Sequence, residues 1–141
     1  MYDALDVAKY VITHCKNTRK PVSNLKLQKL LYFVQAQFLV GEGHPCFFNR
    51  IEAWDLGPVV PDVYHCYKAN GGNAIVLIER GNFGISLHDR RVIEHIVDRC
   101  NFYTASQLVD LTHAQEPWIQ ARKKGYNAQI TNSSIEKFFS D

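Results

Sequence analysis

Between Leu27 and Phe38 the residues Leu27, Leu30, Leu31, Val34 and Phe38 recur at i, i+3, i+4, i+7 and i+11, the spacing of one helical face. Leu31, Tyr32, Phe33 and Val34 are also consecutively apolar, so the stripe spreads onto a second face. A helix apolar on more than one side belongs inside a fold, with other elements packed around it. Ser23 or Asn24 can cap its start, and Gly41 and Gly43 follow where a left-handed residue closes a helix. The rest of the chain must therefore cover a central buried helix.

The covering elements read mostly as helices. Asp3 can cap a first helix with Leu5, Ala8, Val11 or Ile12, and Cys15 at helical spacing, stopped near Asn17 because Pro21 forbids continuation. Residues 45–60 lose the helical period. Cys46-Phe47-Phe48 and Ile51-Glu52-Ala53-Trp54 read as short extended pieces, and Gly57-Pro58 as a turn. Pro61 opens a third helix to Ala69, closed by Gly71-Gly72, and Ile75 to Ile78 is a β-branched run that could pair with the earlier extended pieces. Ser86 with Asp89, Thr104, Pro117, and Ser133 with Glu136 mark four further helix starts. The expectation is a mostly α, compact bundle of five to seven short helices around a central buried helix, with a small β element, as one domain over residues 1–141.

Composition removes several function classes. Hydrophobic residues make up 46% and charged residues 21%, ordinary globular proportions. Sixteen Lys and Arg against 14 Asp and Glu leave +2, far from the charge of a nucleic-acid clamp. The apolar run Leu30 to Val40 is broken by Gln35 and Gln37 and is too short to span a bilayer. Asp3, Asp6 and Lys9 stand where a signal peptide would be apolar, which speaks against secretion. Cys15, Cys46, Cys66 and Cys100 are scattered without a C-x-x-C, as reduced thiols of a cytoplasmic protein would be.

No phosphate-binding glycine loop occurs. His14-Cys15 and His65-Cys66 offer zinc-type ligands, but helical neighbours point about 100° apart, so one of each pair should face the core. Cys100 with His95 or His113 would be a nucleophile with a base, yet nothing in the spacing singles out one cysteine. Glu52, Asp55 and Asp62 could form an acidic edge beside Trp54. Arg90-Arg91 and Arg122-Lys123-Lys124 read as ordinary cations at helix ends. We assign no catalytic residue, metal or cofactor from the sequence. Aromatics off the regular pattern (Trp54, Tyr64, Tyr67, Tyr103, Trp118 and Tyr126) suit a protein-binding surface.

Leu25-Lys26-Leu27-Gln28-Lys29-Leu30-Leu31-Tyr32-Phe33, followed by Ile51 to Tyr64 with its Trp54-Asp55-Leu56-Gly57-Pro58 core, resembles the Panacea antitoxin domain, the family of SocA-like and phage-associated GepA proteins. Leu111-Thr112-His113 with Pro117-Trp118 is similar to its C-terminal pattern. The resemblance implies a helical, prophage-associated antitoxin that neutralises a cognate toxin by direct binding, without catalysis. Leu27, Leu30 and Leu31 then build the core, Gly57, Pro58 and Pro61 aim the third helix, and His113, Pro117 and Trp118 lock the last helices. Lys29, Tyr32, Trp54, Asp55 and Tyr64 are expected to line one exposed partner-binding patch. The rival reading is a DNA-associated regulator or protease adaptor, with an enzyme third; a membrane partner is not expected, and homo-oligomerisation stays open.

Overall fold

The computed structural model describes residues 1–77 and 79–140. Seven α-helices occur among them: α1 (Ala4–Asn17), α2 (Asn24–Gln37), α3 (Pro61–Tyr67), α4 (Leu87–Cys100), α5 (Ala105–His113), α6 (Glu116–Lys124) and α7 (Asn132–Phe139). Three short strands, β1 (Ile51–Trp54), β2 (Gly57–Val59) and β3 (Gln129–Ile130), form an antiparallel sheet in the order β2-β1-β3. The mostly α architecture with a small β element is as the sequence implies. No helix among the described residues is long and apolar enough to cross a membrane.

The first two helices begin where local chemistry sets them. Asp3 accepts a hydrogen bond from the Leu5 N–H at 3.0 Å, and Ser23 accepts from Lys26 N–H at 3.3 Å. Each satisfies a donor that the helix start leaves unpaired. α1 buries Ala4, Val7, Ala8, Val11, Ile12 and Cys15 against α2, and Leu27, Leu30 and Leu31 are fully buried within α2. Eleven of the 14 residues of α2 are buried, and α1, α3, α4, α5 and α7 all pack on it. It continues into a wide π-helical turn, Phe38–Glu42, that ends at Gly43 with φ 78°. Of the two glycines expected to close this helix, Gly43 takes the left-handed conformation.

Gln35 shows how a polar residue survives inside the core. Its Oε1 accepts from the N–H groups of Cys46 and Phe47 at 2.8 and 3.2 Å, and its Nε2 donates to the Phe47 carbonyl at 3.0 Å. An extended segment with no strand neighbour on that side is thereby satisfied. Gln35→Met would strand two buried donors, and we expect a loss of about 2 kcal/mol in urea unfolding; an unchanged midpoint would contradict this accounting.

Several local expectations are corrected. Gly57-Pro58 is not the turn: Asp55 and Leu56 turn the chain, and Gly57 to Val59 forms β2, with Trp54 opposite Gly57 and Ala53 opposite Pro58. Proline lacks a donor, so it is tolerated on this edge strand. The third helix ends at Tyr67, with a 3-10 turn over Lys68–Asn70 before Gly71. Ile75 to Leu77 is not a strand, because Ile75 N–H is taken by the Val22 carbonyl at 2.8 Å; Ile78 lies outside the described residues. The third strand comes instead from Gln129–Ile130, with Ile51 opposite Ile130. The last helix is capped by Thr131, which accepts from Ser134 N–H, two residues before the expected Ser133.

Candidate functional site

The β1–β2 hairpin is held by side chains from α2, α5 and α6. From α2, Lys29 Nζ donates to the Pro58 carbonyl at 2.9 Å, and Gln28 Oε1 accepts from Val60 N–H at 2.9 Å. Gln28 is braced by Asn24, whose own amide donates to the Tyr64 carbonyl of α3 at 3.1 Å. From α5 and α6, His113 Nε2 meets the Asp55 carbonyl at 2.8 Å, and Trp118 Nε1 donates to the Trp54 carbonyl at 2.8 Å. Arg122 donates to the Ala53 carbonyl at 3.2 Å and to Asp55 Oδ1 at 2.7 Å. The His113 and Trp118 rings lie 4.2 Å apart, and the Arg122 guanidinium sits 5.5 Å above Trp118. Pro117, buried in the first turn of α6, starts the helix that delivers Trp118 and Arg122.

Lys29 is the unusual member. It is 0% exposed, and its one hydrogen bond goes to a neutral carbonyl. Burial therefore penalises the ammonium form and pushes its pKa down from 10.5 to about 7. Tyr32, one turn along α2, is also 0% exposed and donates to Gln115 Oε1 at 2.7 Å, just before α6. Burial raises the Tyr32 phenol well above its usual range.

These placements correct part of the sequence reading. Lys29 and Tyr32 do not line an exposed patch; their polar ends are consumed inside, on Pro58 and Gln115. Trp54, Asp55 and Tyr64 do come together. The Trp54 and Tyr64 rings meet edge to face at 4.8 Å. With Asn24, Leu25 and Gln28 of α2, and Leu56 and Tyr126, they line a groove of about 360 Å³. Leu56 is 55% exposed at the hairpin tip, and Tyr126 is 81% exposed across from it. Pro61 starts α3, the helix that carries Tyr64 to the groove.

Sequence reasoning missed Arg122 and Gln115. Arg122 looked like one of three ordinary basic residues at a helix end, and its partner Asp55 is 67 positions away. The acidic edge expected from Glu52, Asp55 and Asp62 is consumed locally: Arg50 takes Glu52 at 3.0 Å, Arg122 takes Asp55, and Asn49 donates to Asp62 at 2.8 Å.

The reactive-residue candidates are also dispersed. Cys15, Cys46 and Cys100 are buried, which raises their thiol pKa values, Cys100 to about 11. The α1 pair divides as expected, with Cys15 in the core and His14 2.7 Å from Asp98; on α3 the expectation fails, because the helix buries its Val63 and Tyr67 face and leaves both His65 and Cys66 exposed. Among the described residues, Glu42, His88 and Asp89 are the group close enough to share an ion. In that group His88 Nε2 already pairs with Glu42 at 2.6 Å, and Asp89 accepts from the Tyr2 hydroxyl.

Fold and groove together define a helix-rich domain with a braced, partly aromatic recess on its surface. Residues 27–119 match the family described as antitoxin SocA-like, Panacea domain, and that span contains α2 after its first three residues, the hairpin, His113 and Trp118. Antitoxin SocA of Caulobacter vibrioides is 34% identical over 154 aligned positions, covering 99% of this chain and 81% of that protein. The chain belongs to the SocA-like Panacea antitoxin family. No solved structure matches it.

Proposed function

We propose that this antitoxin neutralises a cognate toxin by direct, non-covalent binding, and that the toxin seats in the groove between Trp54, Leu56, Tyr64 and Tyr126. The observation that carries the reading is the pairing of a braced hairpin with large exposed side chains around a recess. Interface hot spots are aromatic or apolar anchors in pockets, and a pre-ordered receptor loses less entropy on binding. Inhibition is stoichiometric: the bound antitoxin covers the toxin's working surface. A binding role without catalysis fits the burial of Cys15, Cys46 and Cys100 and the engagement of His113 by a backbone carbonyl. The cytoplasm is the compartment this reading implies, since the toxin must be met where it acts.

The test is co-expression with the neighbouring open reading frame, followed by affinity measurement on the purified pair. Leu56→Asp and Tyr64→Ala should each weaken binding by about 10- to 100-fold and abolish growth rescue. Phe102→Asp, at an 88% exposed residue outside this groove, should leave both unchanged. A neighbour that is harmless alone would defeat the toxin pairing, and rescue surviving both groove variants would defeat this seat.

A further inference from the structure

We infer that the groove selects a segment whose ring-bearing side chain has a carboxylate beside it, an acidic aromatic anchor rather than a basic one. The inference rests on the groove being the toxin's seat, and it concerns the chemistry of what enters. The walls supply the first half. Trp54, Tyr64, Leu56 and Val59 present ring and aliphatic surface that is dehydrated usefully only by another apolar body.

The charges supply the second half. Two carboxylates stand close to Trp54, and taken alone they would make the groove a seat for Lys or Arg. Both are already neutralised: Asp55 lies 2.7 Å from Arg122, and Glu52 lies 3.0 Å from Arg50 while accepting from Trp54 Nε1 at 2.9 Å. The buried amides Asn24 and Gln28 spend their groups on each other and on backbone. Lys68, exposed on the groove wall, has no carboxylate within 4.0 Å among the described residues. The groove thus offers an unmatched positive charge beside matched negative ones. The first turn of α2, also on the wall, carries no acidic residue to oppose this sign.

Three small probes of one ring type test the sign without needing the toxin. Indole-3-propionate, 3-methylindole and tryptamine carry an anionic, a neutral and a cationic arm. Each is titrated into isotope-labelled protein while the Trp54 indole N–H and the Tyr64 and Lys68 amides are followed by NMR. The anion should bind tightest, about fivefold above the cation, the scale expected of one exposed charge pair. Lys68→Gln should equalise anion and cation, and Lys68→Glu should reverse them. Lys68 is exposed, so an otherwise unchanged amide spectrum confirms that each variant is folded.

The inference is overturned if tryptamine binds as well as the acid, if Lys68→Glu keeps the wild-type order, or if no probe shifts the groove signals. The two readings fail separately. Toxin binding lost in Leu56→Asp with no anion preference keeps the seat and removes the chemistry. An anion preference with rescue intact in Leu56→Asp keeps the chemistry and moves the toxin elsewhere.

Discussion

Gly57→Ala is expected to lower the unfolding free energy by about 3 kcal/mol, the largest loss from adding a single methyl group to this chain. Two costs combine. Gly57 has φ 106°, a conformation a residue with a Cβ adopts only under strain. A Cβ there would also stand 2.8 Å from Lys29 Cε and 2.8 Å from Thr112 Oγ1. Neither neighbour yields freely: Lys29 is tied to Pro58, and Thr112 Oγ1 donates to the Val109 carbonyl at 2.9 Å. Urea unfolding reads the loss. Because the hairpin tip carries Leu56, rescue should weaken in the same variant even where it remains folded. A change below about 0.5 kcal/mol, the range of an unremarkable surface position, would show that Lys29 and Thr112 yield to the added methyl. Gly43→Ala, at φ 78° with open space around the new Cβ, isolates the conformational cost and should lose less.

Local and distant determinants of this fold divide along the same line as these two glycines. What depends on neighbours within one turn was legible: the caps at Asp3, Ser23 and Thr104, the apolar face of α1, and the all-round burial of α2. What depends on a distant partner was not. β3 is two residues long and becomes a strand only because Ile51, far upstream, lies opposite Ile130. The β-branched run from Ile75 has strand-like composition, but its first N–H is claimed by Val22. Lysine is ordinarily solvated, so Lys29 reads as surface; its burial follows from a hairpin 29 positions later that closes over it.

The family resemblance was carried by motif residues, and the structure separates their duties. Lys29, His113 and Trp118 bond to the hairpin, Gly57 lies within it against Lys29 and Thr112, and Tyr32 bonds Gln115, so their type is constrained from inside. Of the matched residues, Leu56 and Tyr64 stand at the groove, joined there by Tyr126 from outside the motifs. This division predicts opposite signatures. Substitution of Trp118 should lower stability and binding together, whereas Leu56→Asp should lower binding alone. Parallel loss of stability in Leu56→Asp would show that the tip also braces the fold.

Stability is expected to rise between pH 6.5 and pH 8 because of Lys29. Its folded pKa of about 7 lies below the 10.5 of an unburied lysine. Between those values the unfolded chain holds a proton that the folded chain has released, so deprotonation favours the fold as pH increases. Across the full window the linkage is worth about 5 kcal/mol, of which about 1 kcal/mol falls between pH 6.5 and 8. Other groups act in the opposite direction. Glu42 raises the pKa of exposed His88, which favours the fold at lower pH and loses that contribution as pH climbs through its folded value. Burial raises Cys46, Cys100 and Tyr32, so their unfolded forms lose protons first and erode stability above about pH 8. A His88→Gln background removes the first, and stopping at pH 8 avoids the second. In that background, Lys29→Met replaces the ammonium with an apolar chain of similar length and should flatten the rise. It should also unfold later than its parent at pH 6.5, where a buried cation is most costly, despite leaving the Pro58 carbonyl unpaired. A slope that persists in Lys29→Met would place the titrating group elsewhere, and the buried cation would then no longer account for how the hairpin is held.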